Sequence, residues 1–159
     1  MNSVYRFFKW VNGSWVSQTI NDSIWLFPAI EGVHLVALAL LFGAILVLNL
    51  RLMGIMMPER PLPQLFTELQ PWTLCSLIVI LVSGVLLFMS EAVKVFHSTP
   101  FRIKIVLLVT AIVFHYTISW KLMRRDDRRF SPAIDKAAGA IAISLWLGVG
   151  FAGRAIGFF

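Results

Sequence analysis

The sequence predicts an all-α integral membrane protein: a four-helix bundle (residues 24–159) preceded by an interfacial amphipathic segment (residues 1–23). Three observations carry this. The chain has 159 residues, 58% of them hydrophobic and 14% charged, where a water-soluble domain carries about 25% charge. Its mean hydropathy is +0.81. Its apolar residues gather into four long runs rather than scattering, and too little polar surface is left to cover a soluble globule.

The runs extend from about Ile24 to Leu50, Trp72 to Val93, Ile105 to Trp120 and Ala137 to Phe159. A span needs roughly 20 apolar residues, or about 17 at the short limit. The third run is the shortest, and Lys104 and Lys121 at its ends can snorkel and lengthen it. Lipid forbids unpaired backbone, so the runs are helices. Breakers separate them: Pro58, Pro61, Pro63 and Pro71, then Pro100, then Ser131-Pro132 as a cap and first position of the last helix. The first 23 residues mix aromatic, apolar and basic side chains, as in Tyr5-Arg6-Phe7-Phe8-Lys9-Trp10. No apolar stretch follows Arg6 and Lys9 as a signal peptide requires, and the composition fits a helix lying on the membrane surface.

Charge sets the expected orientation. Arg51, Arg60, Lys121, Arg124, Arg125, Arg128, Arg129 and Lys136 fall on one face, and Arg6, Lys9, Lys94, Arg102 and Lys104 on the other. The positive-inside rule then puts the first and third connections in the cytoplasm and both termini in the periplasm of a bacterial inner membrane. The net charge of +6 reflects these flanks and meets anionic headgroups rather than nucleic acid. The single cysteine, Cys75, excludes an intramolecular disulfide and a multi-cysteine metal site, and is expected to pack as a small residue.

Ionisable side chains inside spans mark functional sites. Four qualify: Glu31, His34, His115 and Arg154. Glu31 and His34 are three apart and share a helix face. At 1.5 Å per residue, His34 lies roughly 6 Å, Glu31 roughly 10 Å and Arg154 roughly 10 Å to the outer side of their midplanes, and His115 roughly 4 Å to the inner side. Glu31 and Arg154 are therefore level, and either form an ion pair or share a ligand. Buried neutral imidazoles suit haem iron in a helical bundle, which makes His34 and His115 candidate axial and metal ligands although their depths differ by about 10 Å. Arg154 would then neutralise a haem propionate and Glu31 orient His34. His97 falls at the outer end of the second span. Met53, Met56 and Met57 cluster at the inner end of the first helix, where thioethers suit Cu(I) or simply face lipid. Phosphate-loop and nucleophile motifs are missing.

Pro28-Ala-Ile-Glu31-Gly-Val-His34, Gly43, Asn49-Leu-Arg51-Leu-Met-Gly54, Phe101-Arg-Ile-Lys104, Phe114-His115 and Ala152-Gly153-Arg154-Ala-Ile-Gly157 together resemble the small bacterial four-span proteins of the DUF6644 type. The resemblance covers residues 24–159, and Asn49 departs from an Asp common in that pattern. More distantly the arrangement is similar to CopD-like copper-resistance proteins and the cytochrome b561 group, which implies a b-type haem. The leading expectation is haem b electron transfer between a quinone or periplasmic carrier and a partner. The alternatives are a non-catalytic subunit or assembly partner of a larger complex or homo-oligomer, and copper handling.

Overall fold

The computed structural model describes residues 2–92, 98–124 and 132–156, and among these every element is helical. His97, the Arg125–Arg129 run, Ser131 and Gly157 lie outside the described residues. Two short helices come first, α1 (Asn2–Asn12) and α2 (Trp15–Asp22). A single interfacial helix is expected there. The break falls at Gly13-Ser14 because Ser14 caps a new helix, its hydroxyl accepting from Ser17 N–H at 3.3 Å. Both helices are amphipathic: Val11 and Ile20 are buried while Trp10 and Trp15 are exposed.

Four helices are long and apolar enough to cross a membrane. The first, α3 (Leu26–Leu52), buries His34, Ala37, Leu41, Ile45, Leu48, Asn49 and Leu52, a stripe with helical period. Its opposite face exposes Val33, Val36 and Leu40, as lipid-facing positions do. It ends at Gly54, whose φ of +76° favours glycine. Arg51 then draws the connection back, donating to the carbonyls of Pro58 and Arg60 at 3.1 and 2.8 Å.

The second, α4 (Leu62–Ser90), starts ten residues before the expected Trp72 and keeps Pro71 inside it. Pro71 removes one backbone bond, and hydroxyls on either side of it bond other carbonyls of the helix. Thr67 donates to Pro63 O at 2.9 Å and Thr73 to Gln70 O at 2.8 Å. The third span is α5 (Thr99–Phe114), a π-turn (His115–Ser119) and α6 (Trp120–Met123). It begins earlier than the apolar run because Ser98 caps it and Pro100 occupies its first turn. The fourth, α7 (Pro132–Ala155), buries Ala138, Gly139, Ala142, Trp146 and Val149.

The helices form an incomplete ring. α3 packs along α4 and α7, and α5 packs along α7. The α4–α5 side is the one that does not close, which leaves a cleft between those helices. Small residues bring α7 close: a Cβ on Gly139 would lie 2.6 Å from Met53 Cγ and 3.1 Å from Asn49 O. Met53 therefore packs between helices, while Met56 and Met57 are exposed. Cys75 is exposed on α4 instead of packed, because it lies off the face carrying Thr73, Ser76, Leu77 and Ile80.

Candidate functional site

The cleft between α4 and α5 holds a cavity of about 310 Å³ at the bundle end that carries α1 and α2. His34 enters it from α3, Lys104 from α5 and Trp146 from α7. Phe8 of α1, Phe88 of α4 and Phe101 of α5 close its rim. The Phe8 and Phe88 rings meet edge-on at 5.3 Å, and Phe88 stacks on Phe101 at 5.6 Å. Gly84 keeps one wall low, since a Cβ there would touch His34 Cε1 at 3.5 Å.

His34 Nδ1 lies 2.8 Å from Ser83 Oγ, which also lies 2.6 Å from Val79 O. The hydroxyl carries one proton: given to Val79 O, it leaves Oγ to accept from Nδ1–H and Nε2 with the lone pair; given to Nδ1, it leaves Nε2–H as a donor. In the first tautomer Nε2 can accept a proton or coordinate a metal. Lys104 sets an ammonium in the same cavity, its Nζ 3.4 Å from where a Cβ of Gly153 would stand. Trp146 is 6% exposed, and its Nε1–H has no partner among the described residues. The site thus offers an imidazole and a cation inside an apolar shell.

The four sequence-derived candidates do not converge. His34 lines the cavity. Glu31 and Arg154 are both exposed, and no ion pair joins them among the described residues. Glu31 turns outward because the buried stripe of α3 passes through Ala37 and His34. His115 is 4% exposed but lies eleven residues beyond Lys104 along the third span, about 16 Å deeper at 1.5 Å per residue. His34 and His115 therefore occupy different layers, and one iron does not reach both. No group of three or more His, Cys, Asp or Glu side chains suited to a metal occurs among the described residues.

Two site residues escape a reading for intramembrane charge. Lys104 looks like a snorkelling flank until the helix is seen to begin five residues earlier. Ser83 is one of three buried serines, with Ser76 and Ser90, spaced by seven on α4. That spacing puts a polar seam on a helix whose neighbours are apolar, and it was legible in the sequence.

A family model described as a family of unknown function, DUF6644, matches residues 7–159. The chain belongs to this family. No curated protein and no solved structure matches it, so the likeness to CopD-like and cytochrome b561 proteins has no counterpart in these comparisons.

Proposed function

We propose that the protein takes a quinone or quinol from the bilayer and holds its ring in the α4–α5 cleft, serving electron transfer with a membrane or periplasmic partner. The supporting observation is the His34 imidazole, anchored through Nδ1 on Ser83, in a lipid-side cavity. In the tautomer with Nδ1–H on Ser83, Nε2 accepts the hydroxyl of a quinol and is placed to take its proton. Lys104 donates to a ring oxygen of the oxidised form. A cavity of about 310 Å³ is at the small end of ligand pockets, enough for a headgroup while the tail remains in lipid. Entry needs no aqueous route because the cleft opens between two spans.

The test is isothermal titration of decylubiquinone into the protein in lipid nanodiscs. Saturable binding is expected, with His34→Ala and Lys104→Met each weakening it about tenfold, equivalent to about 1.4 kcal/mol. Absence of saturable binding by the unaltered protein, or binding by both variants as tight as by the unaltered protein, overturns the proposal.

A haem b reading rests on the same imidazole. A ligating histidine is oriented through its other nitrogen, as Ser83 does here, and Lys104 fits a propionate. His115 does not fit as a second ligand at its depth. The copper reading would likewise use His34, without the methionines, of which Met53 is packed at the other end of α3. Absorption spectra and metal analysis separate these: a Soret band lost in His34→Ala supports haem, bound copper lost in the same variant supports copper, and a colourless, metal-free protein that binds decylubiquinone supports the first reading. A protein that binds none of them fits a non-catalytic subunit.

A further inference from the structure

A second polar layer lies in the other half of the bundle. Asn49 and Ser119 are 0% exposed and His115 is 4% exposed. Asn49 Oδ1, His115 Nδ1 and Ser119 Oγ are buried atoms without a hydrogen-bond partner among the described residues. The packing register sets them at one level of the bundle. α5 and α7 are antiparallel, with Lys104 against Gly153 and Leu107 against Gly148. Carried along both helices, this sets the His115–Ser119 turn opposite Gly139. Asn49 reaches the same level from α3, its carbonyl 3.1 Å from where a Cβ of Gly139 would stand.

The chemistry of the layer is specific. Asn49 has already spent a donor on Ile45 O at 2.7 Å, so Oδ1 only accepts. Ser119 Oγ donates and accepts, and the imidazole of His115 does either according to tautomer. Each such atom left unpaired in a dry interior costs about 1–3 kcal/mol. The backbone widens at the same place: the π-turn has Trp120 N–H bonded to His115 O, five residues back. Turns of this kind mark functional positions in helices. A bound water makes two to four hydrogen bonds to such groups, and these three supply a suitable mixture of donors and acceptors.

We infer that Asn49, His115 and Ser119 hold bound water inside the membrane around Gly139, and that this water gives the His115 imidazole proton exchange within the span. The layer is separated from the α4–α5 cleft by the core of Ile45, Leu41 and Ala111, so the inference stands apart from the quinone reading.

The experiment is water-edited solid-state NMR of the isotopically labelled protein in liposomes, with His115→Asn to assign the ring signals. Ile45, 0% exposed, is the dry reference. Water magnetisation is expected to reach the His115 ring at least twice as fast as the Ile45 methyls, and Asn49→Leu or Ser119→Ala to slow it at least twofold. Build-up at His115 as slow as at Ile45 in the unaltered protein overturns the inference and needs no variant to fold. Thermal unfolding gives a second readout. Asn49→Leu lowers Tm if it breaks a water network, and raises Tm if Oδ1 is a dry orphan, which also overturns it.

Discussion

Ser83 determines what His34 can do. With its hydroxyl proton on Val79 O, its oxygen accepts from Nδ1–H of His34 and leaves Nε2 with the lone pair. Ser83→Ala removes the acceptor and leaves Nδ1–H buried, while Ser83→Thr keeps the hydroxyl. The alanine variant is expected to unfold with a stability lower by about 1–3 kcal/mol and to bind decylubiquinone at least threefold more weakly. The threonine variant is expected to retain most of both. Denaturation and titration on the three proteins check this. Equal affinity in all three would show that the ring orientation does not depend on Ser83. Ser83 illustrates why residue types alone mislead. Scanning spans for charge finds Glu31 and Arg154, which are exposed, and passes over a neutral serine that anchors an imidazole.

Helices in lipid associate through close packing, with little help from the hydrophobic effect, so the contact of α3 with α7 turns on Gly139. A Cβ at that position meets Met53 Cγ at 2.6 Å and Asn49 O at 3.1 Å. Met53 can shift, but the Asn49 carbonyl belongs to α3 itself. Gly139→Ala is therefore expected to cost about 1–3 kcal/mol, as overpacking does, with Met53→Ala restoring part of the loss in the double variant. Thermal unfolding of the single and double variants measures the coupling. The helical elements were readable from apolar runs because the bilayer demands paired backbone over a fixed thickness. Their ends were not. Pro71 reads as a breaker and lies inside α4. Ser98 and Pro100 start α5 ahead of its apolar run, and that shift turns Lys104 from a flank into a cavity residue. Depth counted from the run centres already sets His34 and His115 about 10 Å apart, and the place of Lys104 beside His34 widens this to about 16 Å.

The whole molecule has two ends that differ chemically. One carries α1 and α2, with Asn21 Nδ2 donating to Ser90 O at 3.1 Å and Phe8 on the rim of the cleft. The other gathers Arg51, Arg60, Lys121 and Arg124, with Arg124 over the Trp120 ring at 5.9 Å. Basic residues remain on the cytoplasmic side of short connections, so the second end is expected to face the cytoplasm and the cleft to open in the opposite leaflet. Single cysteines in a Cys75→Ser background test the orientation directly. A cysteine at Glu59, in the connection after α3, should react with a membrane-impermeant maleimide only after the cells are opened. One at Ser14, between α1 and α2, should react in spheroplasts whose inner membrane is intact. The reverse pattern would put the cleft in the cytoplasmic leaflet. Any quinone site there would exchange protons with the cytoplasm, and the polar layer around Gly139 would lie nearer the periplasm.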